Sequence, residues 1–277
     1  MAQSSYSIEK VYSEFNKIDG YFGEKDGGYG GKVEYENSSI YQYCPYSSTF
    51  NSGYCRDHFQ RARSGVINLL ENLEKYNLEY DKLAEYAILF LSYKLKQHSQ
   101  HKYKSTKLDN FYTNHIEKNE HYNKIKVNGL TCKEIIDKKK DLMNTNEISK
   151  FNVLFSILFS FYNGINKNNL DCNKCSKDAN EFVQNFEKLN EDSNINGNIS
   201  YSRLLSTLSN DYDNFKIYFA EKCNDCNDLP PLPKVKTPPS KLIPALSTFS
   251  VIPVFLGIAY KTIFKKKIKK NKEENET

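Results

Sequence analysis

Nineteen consecutive residues, Leu242–Tyr260 (LIPALSTFSVIPVFLGIAY), carry no charge, and the chain then turns at Lys261 into a lysine-rich run containing KKKIKK. A helix of that length is about 28 Å long, close to the hydrocarbon thickness of a bilayer. Ten of the nineteen are Leu, Ile, Val or Phe, and together they favour insertion by about 3 to 6 kcal/mol. Ser247, Thr248, Ser250, Pro244 and Pro253 offset part of that, and neighbouring hydroxyls can satisfy the carbonyls that the prolines free. A buried helix of a soluble domain would not need the basic flank. The expectation is therefore a single transmembrane helix over 242–264 followed by a short basic tail over 265–277.

Charge sorts itself around that span. Residues 241–277 hold eight lysines and three acids, which leaves 31 basic and 31 acidic residues, of the chain's 39 and 34, in the part before it. That large part is neutral, and a nucleic-acid binder would show a basic patch or stripe. Nucleic acid is excluded as a partner on this ground. Lys261, Lys265, Lys266, Lys267, Lys269, Lys270 and Lys272 lie against the expected bilayer, where each can gain about 1 kcal/mol from anionic headgroups. The basic side is expected to stay cytoplasmic, with the N-terminal domain outside. The first fifteen residues, MAQSSYSIEKVYSEF, show no basic region followed by an apolar core, so the span itself is expected to act as the targeting signal. The alternative topology is a tail anchor with the large domain in the cytosol.

Seven cysteines bear on the same choice: Cys44, Cys55, Cys132, Cys172, Cys175, Cys223 and Cys226. The last four form two Cys-x-x-Cys pairs almost fifty residues apart. An oxidising compartment favours disulfides and a reducing one a four-thiolate zinc site, but zinc pairs usually close over some 15 to 20 residues. Disulfides are the expectation for Cys44, Cys55, Cys172, Cys175, Cys223 and Cys226, with connectivity open and Cys132 left as the odd thiol. The alternative is a zinc site at Cys172, Cys175, Cys223 and Cys226.

Seven of the eight prolines fall between Pro230 and Pro253. The first 229 residues, with Pro45 alone, read as helical. Apolar residues at Leu83, Tyr86, Ala87, Phe90, Leu91 and Leu95 recur at helical spacing over 81–97, and 146–162 is more apolar still, with Gly164 as a stop. Its uncharged stretch is too short to span a bilayer, so it is expected to be the central core helix. Further helices are expected over 56–76, 132–143, 176–189 and 201–221. The fold class is all-α: a helical ectodomain over 1–228, an extended proline-rich stalk over 229–241 that holds it off the lipid, then the span. The glycine-dense run GEKDGGYGGK, 23–32, is expected to be a flexible loop.

No constellation for catalysis can be named. The five histidines, His58, His98, His101, His115 and His121, lack partners at metal or triad spacing, and His98 and His101 sit in the polar stretch KLKQHSQHKYK, where a solvated surface is expected. GGYGG, 27–31, is neither a phosphate loop nor a dinucleotide fingerprint. The tyrosines and phenylalanines are expected to fill the core, with some exposed tyrosines available to anchor a partner. No enzyme, metal or cofactor is expected. Asn37 and Asn198 open Asn-x-Ser sequons that would accept glycans in a secretory lumen.

Several longer words are more specific. YCP at 43–45, EYAILFLSYKL at 85–95, NFYTNHI at 110–116, KEIIDKKKDLMN at 133–144, EISKFNVLFSILFSFY at 147–162, CNKCSKDANEFVQNFEKLNED at 172–192 and YSRLLSTLSNDYDNFK at 201–216 occur in that order. Jointly they resemble the Plasmodium interspersed repeat proteins, called Cir, Yir and Bir in rodent malaria parasites. The resemblance covers nearly the whole ectodomain and continues into the stalk, span and basic tail. It implies a multigene variant antigen with a helical ectodomain, displayed on the parasite or the infected red cell, acting in antigenic variation and immune evasion. The partners it implies, beside the lipid bilayer, are host cell-surface or serum proteins. Members commonly carry a further cysteine where this chain has Val11 and Tyr12, so no family disulfide scheme transfers whole. The oligomeric state is left open.

Overall fold

In the computed structural model the described residues are 7–143, 147–166, 171–223, 226 and 228–238. Helices dominate them: α1 (Ile8–Asp19), α2 (His58–Glu74), α3 (Tyr80–Gln97), α4 (Cys132–Asp137), α5 (Asn152–Asn166), α6 (Cys172–Glu191), α7 (Ser193–Asn196) and α8 (Ile199–Lys222). Short helical turns at His101–Lys104, Leu108–Phe111 and Glu120–Lys124 bridge α3 to α4. Helix starts follow from capping chemistry. Asp57, Asp171, Asp192 and Asn198 each accept a hydrogen bond from a backbone N–H of the first turn, and Thr131 with Glu134 forms a capping box at α4. Such a side chain satisfies an otherwise orphaned donor, at a gain of about 1 kcal/mol.

Two helices make the centre. Every residue from Leu83 to Leu95 in α3 is buried, as the all-round apolar sequence demands. Phe155 of α5 meets Phe15 of α1 and Tyr93 of α3 edge-on, with ring centroids 5.2 and 5.3 Å away. Tyr162 of α5 stacks on Tyr12 at 4.4 Å, and Phe161 stacks on Phe215 of α8 at 4.2 Å. Aromatic pairs in these geometries add about 0.5 to 1.5 kcal/mol beyond the area they bury. The expected core-filling role of the tyrosines holds for Tyr12, Tyr86, Tyr122, Tyr162 and Tyr212, all fully enclosed.

Three two-stranded antiparallel hairpins interrupt the helical pattern: β1 (Phe22–Asp26) with β2 (Lys32–Glu36), β3 (Tyr46–Ser47) with β4 (Ser52–Gly53), and β5 (Lys126–Val127) with β6 (Leu130–Thr131). The first replaces the expected flexible loop. Its register pairs Phe22 with Glu36 and Asp26 with Lys32, and the five glycine-dense residues 27–31 make its turn, where Gly30 at φ +79° adopts a conformation that side chains avoid.

The described part of the proline-rich segment, 229–238, is extended but does not project. Leu229 is buried, and Leu232 and Val235 pack against the core. Tyr212 donates to the Pro230 carbonyl at 2.9 Å, and Ser202 donates to the Lys236 carbonyl at 3.2 Å. Asn190 donates to the Lys234 carbonyl at 2.9 Å and accepts from the Lys236 N–H at 2.7 Å. The segment lies as a strap running back along α8 to its first turn and the end of α6, and the compact unit runs to Thr237 rather than stopping at 228. Among the described residues no helix is long and apolar enough to cross a membrane. The expected span 242–264, the tail 265–277 and the lysines Lys261, Lys265, Lys266, Lys267, Lys269, Lys270 and Lys272 lie outside the described residues.

Candidate interaction surface

Of the six candidate cysteines, four are joined. Cys44 bonds Cys55 with Cα atoms 4.9 Å apart, and Cys172 bonds Cys226 at 5.5 Å. Cys175, Cys223 and the buried Cys132 are thiols. The Cys172–Cys226 bond consumes two of the four thiolates that the zinc alternative needs, and no group of three or more His, Cys, Asp or Glu among the described residues is arranged to hold a metal ion. Asn37 and Asn198, the two sequon residues, both cap the turn that follows them.

The Cys44–Cys55 bond closes a loop that presents β3 and β4. Gly53 in this loop sits so near the Tyr41 carbonyl that a Cβ would lie 2.1 Å from the oxygen, a separation that any other residue would have to break. Tyr46 and Phe50 stand exposed on the loop, with the Phe50 ring 4.7 Å from Tyr54. Beside it in sequence, the β1–β2 hairpin exposes Tyr29 and Val33. Tyr29 has φ 62°, a left-handed conformation unusual for a non-glycine residue, and its side chain is wholly outside. Seven large apolar side chains are exposed among the described residues, and these four fall within residues 29–50. Exposed aromatic side chains of this kind can anchor a protein contact when a partner covers them.

The foot of the hairpin is fixed as firmly as its tip is free. Phe22 seats on α2 at Gly65, where an added Cβ would come within 2.7 Å of the ring. Arg61 of α2, nearly buried, pairs with Glu34 at 2.6 Å and Glu36 at 2.5 Å. Lys94 of α3 donates to the Phe22 carbonyl and to Asp19, both at 2.7 Å, and its ammonium lies 4.4 Å from the centre of the Phe22 ring. His98, expected to be solvated, is instead buried between two carboxylates: Nε2 is 3.0 Å from Glu34 and Nδ1 3.4 Å from Glu24. The reason is tertiary, since both glutamates arrive from the hairpin more than sixty residues earlier. The Ser99 hydroxyl and N–H both donate to Glu24 at 2.6 Å.

The electrostatics follow from these contacts. Burial opposes charge on Glu24 and Glu34, but hydrogen bonds from Ser99 to the first, and from Arg61 and His98 to the second, hold both below the ordinary carboxylate value. His58, whose ring centroid is 4.4 Å from that of His98, is pushed down to about 4 by burial. It is the neutral imidazole at pH 7, and its Nε2–H donates to the Lys94 carbonyl at 3.1 Å. A cavity of about 350 Å³ lined by Asp19, Glu24, His58, Lys94 and His98 opens here. Its side chains are committed to holding the hairpin against α2 and α3. A shallower groove of about 500 Å³ runs between α3, α5 and α6 past Tyr93, Lys96, Ser156, Asp178 and Glu181. Glu181 lies on the exposed face of α6. The hairpin base is thus held to α2 and α3 by ion pairs and hydrogen bonds, while Tyr29, Val33, Tyr46 and Phe50 stay exposed.

Three comparisons bear on identity. The family model described as Plasmodium variant antigen protein Cir/Yir/Bir matches residues 12–261. The chain is similar to a solved structure titled "Structure of a Plasmodium PIR protein ectodomain", at 32% identity and a TM-score of 0.53, over 82% of this chain and 100% of that one. No curated protein matches.

Proposed function

This chain belongs to the Plasmodium variant antigen family Cir/Yir/Bir, and from that membership we propose that it is a membrane-anchored surface antigen that contacts host proteins through its two hairpins. The anchor in this reading is 242–264, with the helical unit outside and 265–277 in the cytoplasm. Host cell-surface or serum proteins are the partners, and antigenic variation with immune evasion is the purpose. The observation that carries the contact site is the exposure of Tyr29, Val33, Tyr46 and Phe50 on two hairpins whose bases are locked by Arg61, Lys94, His98 and the Cys44–Cys55 bond. Aromatic anchors on a pre-ordered scaffold lose little entropy on binding. The disulfides support passage through an oxidising compartment. Protease added to intact infected red cells, and separately to released intact parasites, tests display: the helical unit should be trimmed at one of these surfaces. Full protection at every membrane surface would sink the reading.

A further inference from the structure

We propose that Cys175 and Cys223 form a third disulfide beside Cys172–Cys226, so that two bridges bind the start of α6 to the end of α8. The helices run antiparallel, with Phe182 stacked on Tyr212 at 4.6 Å. In an antiparallel pair the residue numbers of facing positions keep a nearly constant total. It is 394 for Phe182 and Tyr212, 398 for the bonded Cys172 and Cys226, and 398 again for Cys175 and Cys223. Both members of the second pair are also three residues from a bonded cysteine. On α6 that spacing is one helical turn, which puts Cys172 and Cys175 on one face. Just past the end of α8 the Cys226 N–H donates to the Cys223 carbonyl at 2.9 Å, which keeps these two cysteines beside each other as well. Cys175 is buried and Cys223 is packed against the same core cluster. Burial, with Cys223 alongside, pushes the Cys175 thiol up to about 11.

Those features also order the chemistry. The oxidant is a dithiol–disulfide exchange protein or a small-molecule disulfide of the secretory route. The half-buried Cys223 thiolate attacks one of its sulfurs and expels the other as a thiolate. The Cys175 thiolate then attacks the Cys223 sulfur of the mixed disulfide and expels the second. Two S–H groups are oxidised to one S–S bond, one S–S bond is reduced to two thiols, and the two protons move to the leaving sulfurs. The strap begins at Leu229, three residues after Cys226, so the double bridge would fix the point from which it departs.

The inference rests on the oxidising-compartment reading above, and one experiment separates the two. The full-length chain recovered from the parasite is denatured, alkylated without reduction and weighed, then cut after Lys174 and before Asp225, which separates all four cysteines. The expected result is one label, on Cys132, and a Cys175–Cys223 peptide pair. Labels on Cys132, Cys175 and Cys223 with both other bridges intact would overturn the pairing alone, as would the crossed pairs Cys172–Cys223 and Cys175–Cys226. Seven labels would overturn the compartment with it.

Discussion

The Tyr12 hydroxyl donates to the Asp211 carboxylate across 3.1 Å, joining α1 to α8 over 199 positions of sequence. Tyr86 of α3 donates to the same carboxylate at 2.9 Å, Lys82 lies 3.8 Å away, and Tyr162 of α5 donates to the Asp211 backbone carbonyl at 2.8 Å. Four helices thus meet on one residue that no solvent reaches. Burial, only partly offset by Lys82 and the tyrosine hydroxyls, raises Asp211 to about 6. A charge in so dry a place is costly even when it is hydrogen-bonded.

Asp211 and His58 should oppose each other in acid. Asp211 is raised in the folded state, so its stabilising contribution is full below pH 3.8 and is lost as pH rises through about 6. His58 is depressed, so its contribution is full above pH 6.5 and is lost as pH falls through about 4. His115, lowered by burial, acts in the same direction as His58. Each main shift corresponds to roughly 3 kcal/mol, and the two slopes largely cancel. Asp211→Asn, which keeps an acceptor for the tyrosines, should therefore gain stability as pH rises from 4 to 6.5. His58→Gln, which keeps a donor for Lys94, should lose it. Urea midpoints across that range are the check, and parallel profiles for the two variants would refute the assignment.

Asn190→Ala should loosen the strap without unfolding the helices. The side chain is buried and makes two hydrogen bonds to the Lys234 and Lys236 backbone, and unpairing such groups costs about 1 to 3 kcal/mol. Trypsin sites at Lys234 and Lys236 should become faster to cut and the amides nearby faster to exchange, while exchange in α3 stays unchanged. Equal protection of the strap in both proteins would show that Leu229, Leu232 and Val235 hold it alone.

Much of this interior was legible and much of its trim was not. The helices α2, α3, α6 and α8 lie within a few residues of where apolar spacing puts them, because a buried stripe forces that spacing, whereas α5 starts at Asn152, after a tighter turn over Glu147–Phe151, and α4 stops at Asp137 short of the expected 143. Helix α1 also carries the signal, in Val11, Tyr12, Phe15 and Ile18, all fully enclosed. The β1–β2 hairpin is different. Half of its strand residues are exposed and they show little alternation. What selects them is a glycine turn together with Arg61, Gly65 and Lys94, residues that only the fold brings near. His98 reads as a surface histidine for the same reason. For the strap, composition specifies extension but not the surface it lies on.

Gly65→Ala isolates that long-range selection. Alanine in mid-helix gains about 1 kcal/mol over glycine, yet here its Cβ would press on the Phe22 ring, and overpacking costs about 1 to 3 kcal/mol. The variant should be less stable by about 1 kcal/mol, and adding Phe22→Leu should recover most of the loss. A stabilised single variant, read from its thermal midpoint, would show that the hairpin foot can move aside.

Tyr29→Gly separates folding from contact at the rim. Tyr29 occupies a left-handed conformation that costs a side-chain-bearing residue about 1 kcal/mol. Glycine removes that cost but has more freedom to lose on folding, by about 0.5 to 1 kcal/mol. Stability should therefore stay within about 0.5 kcal/mol of the original, as it should for Phe50→Ser, whose ring lies outside the core. Removing a central aromatic anchor from a protein interface typically costs about 2 kcal/mol, or some thirtyfold in affinity. With full-length chain in detergent, binding to red-cell surface and serum proteins should fall by that order for Tyr29→Gly and again for Phe50→Ser, at unchanged melting temperature. If both variants bind as the parent does, the contact lies on another face, and the groove past Tyr93, Lys96 and Glu181 becomes the next surface to alter.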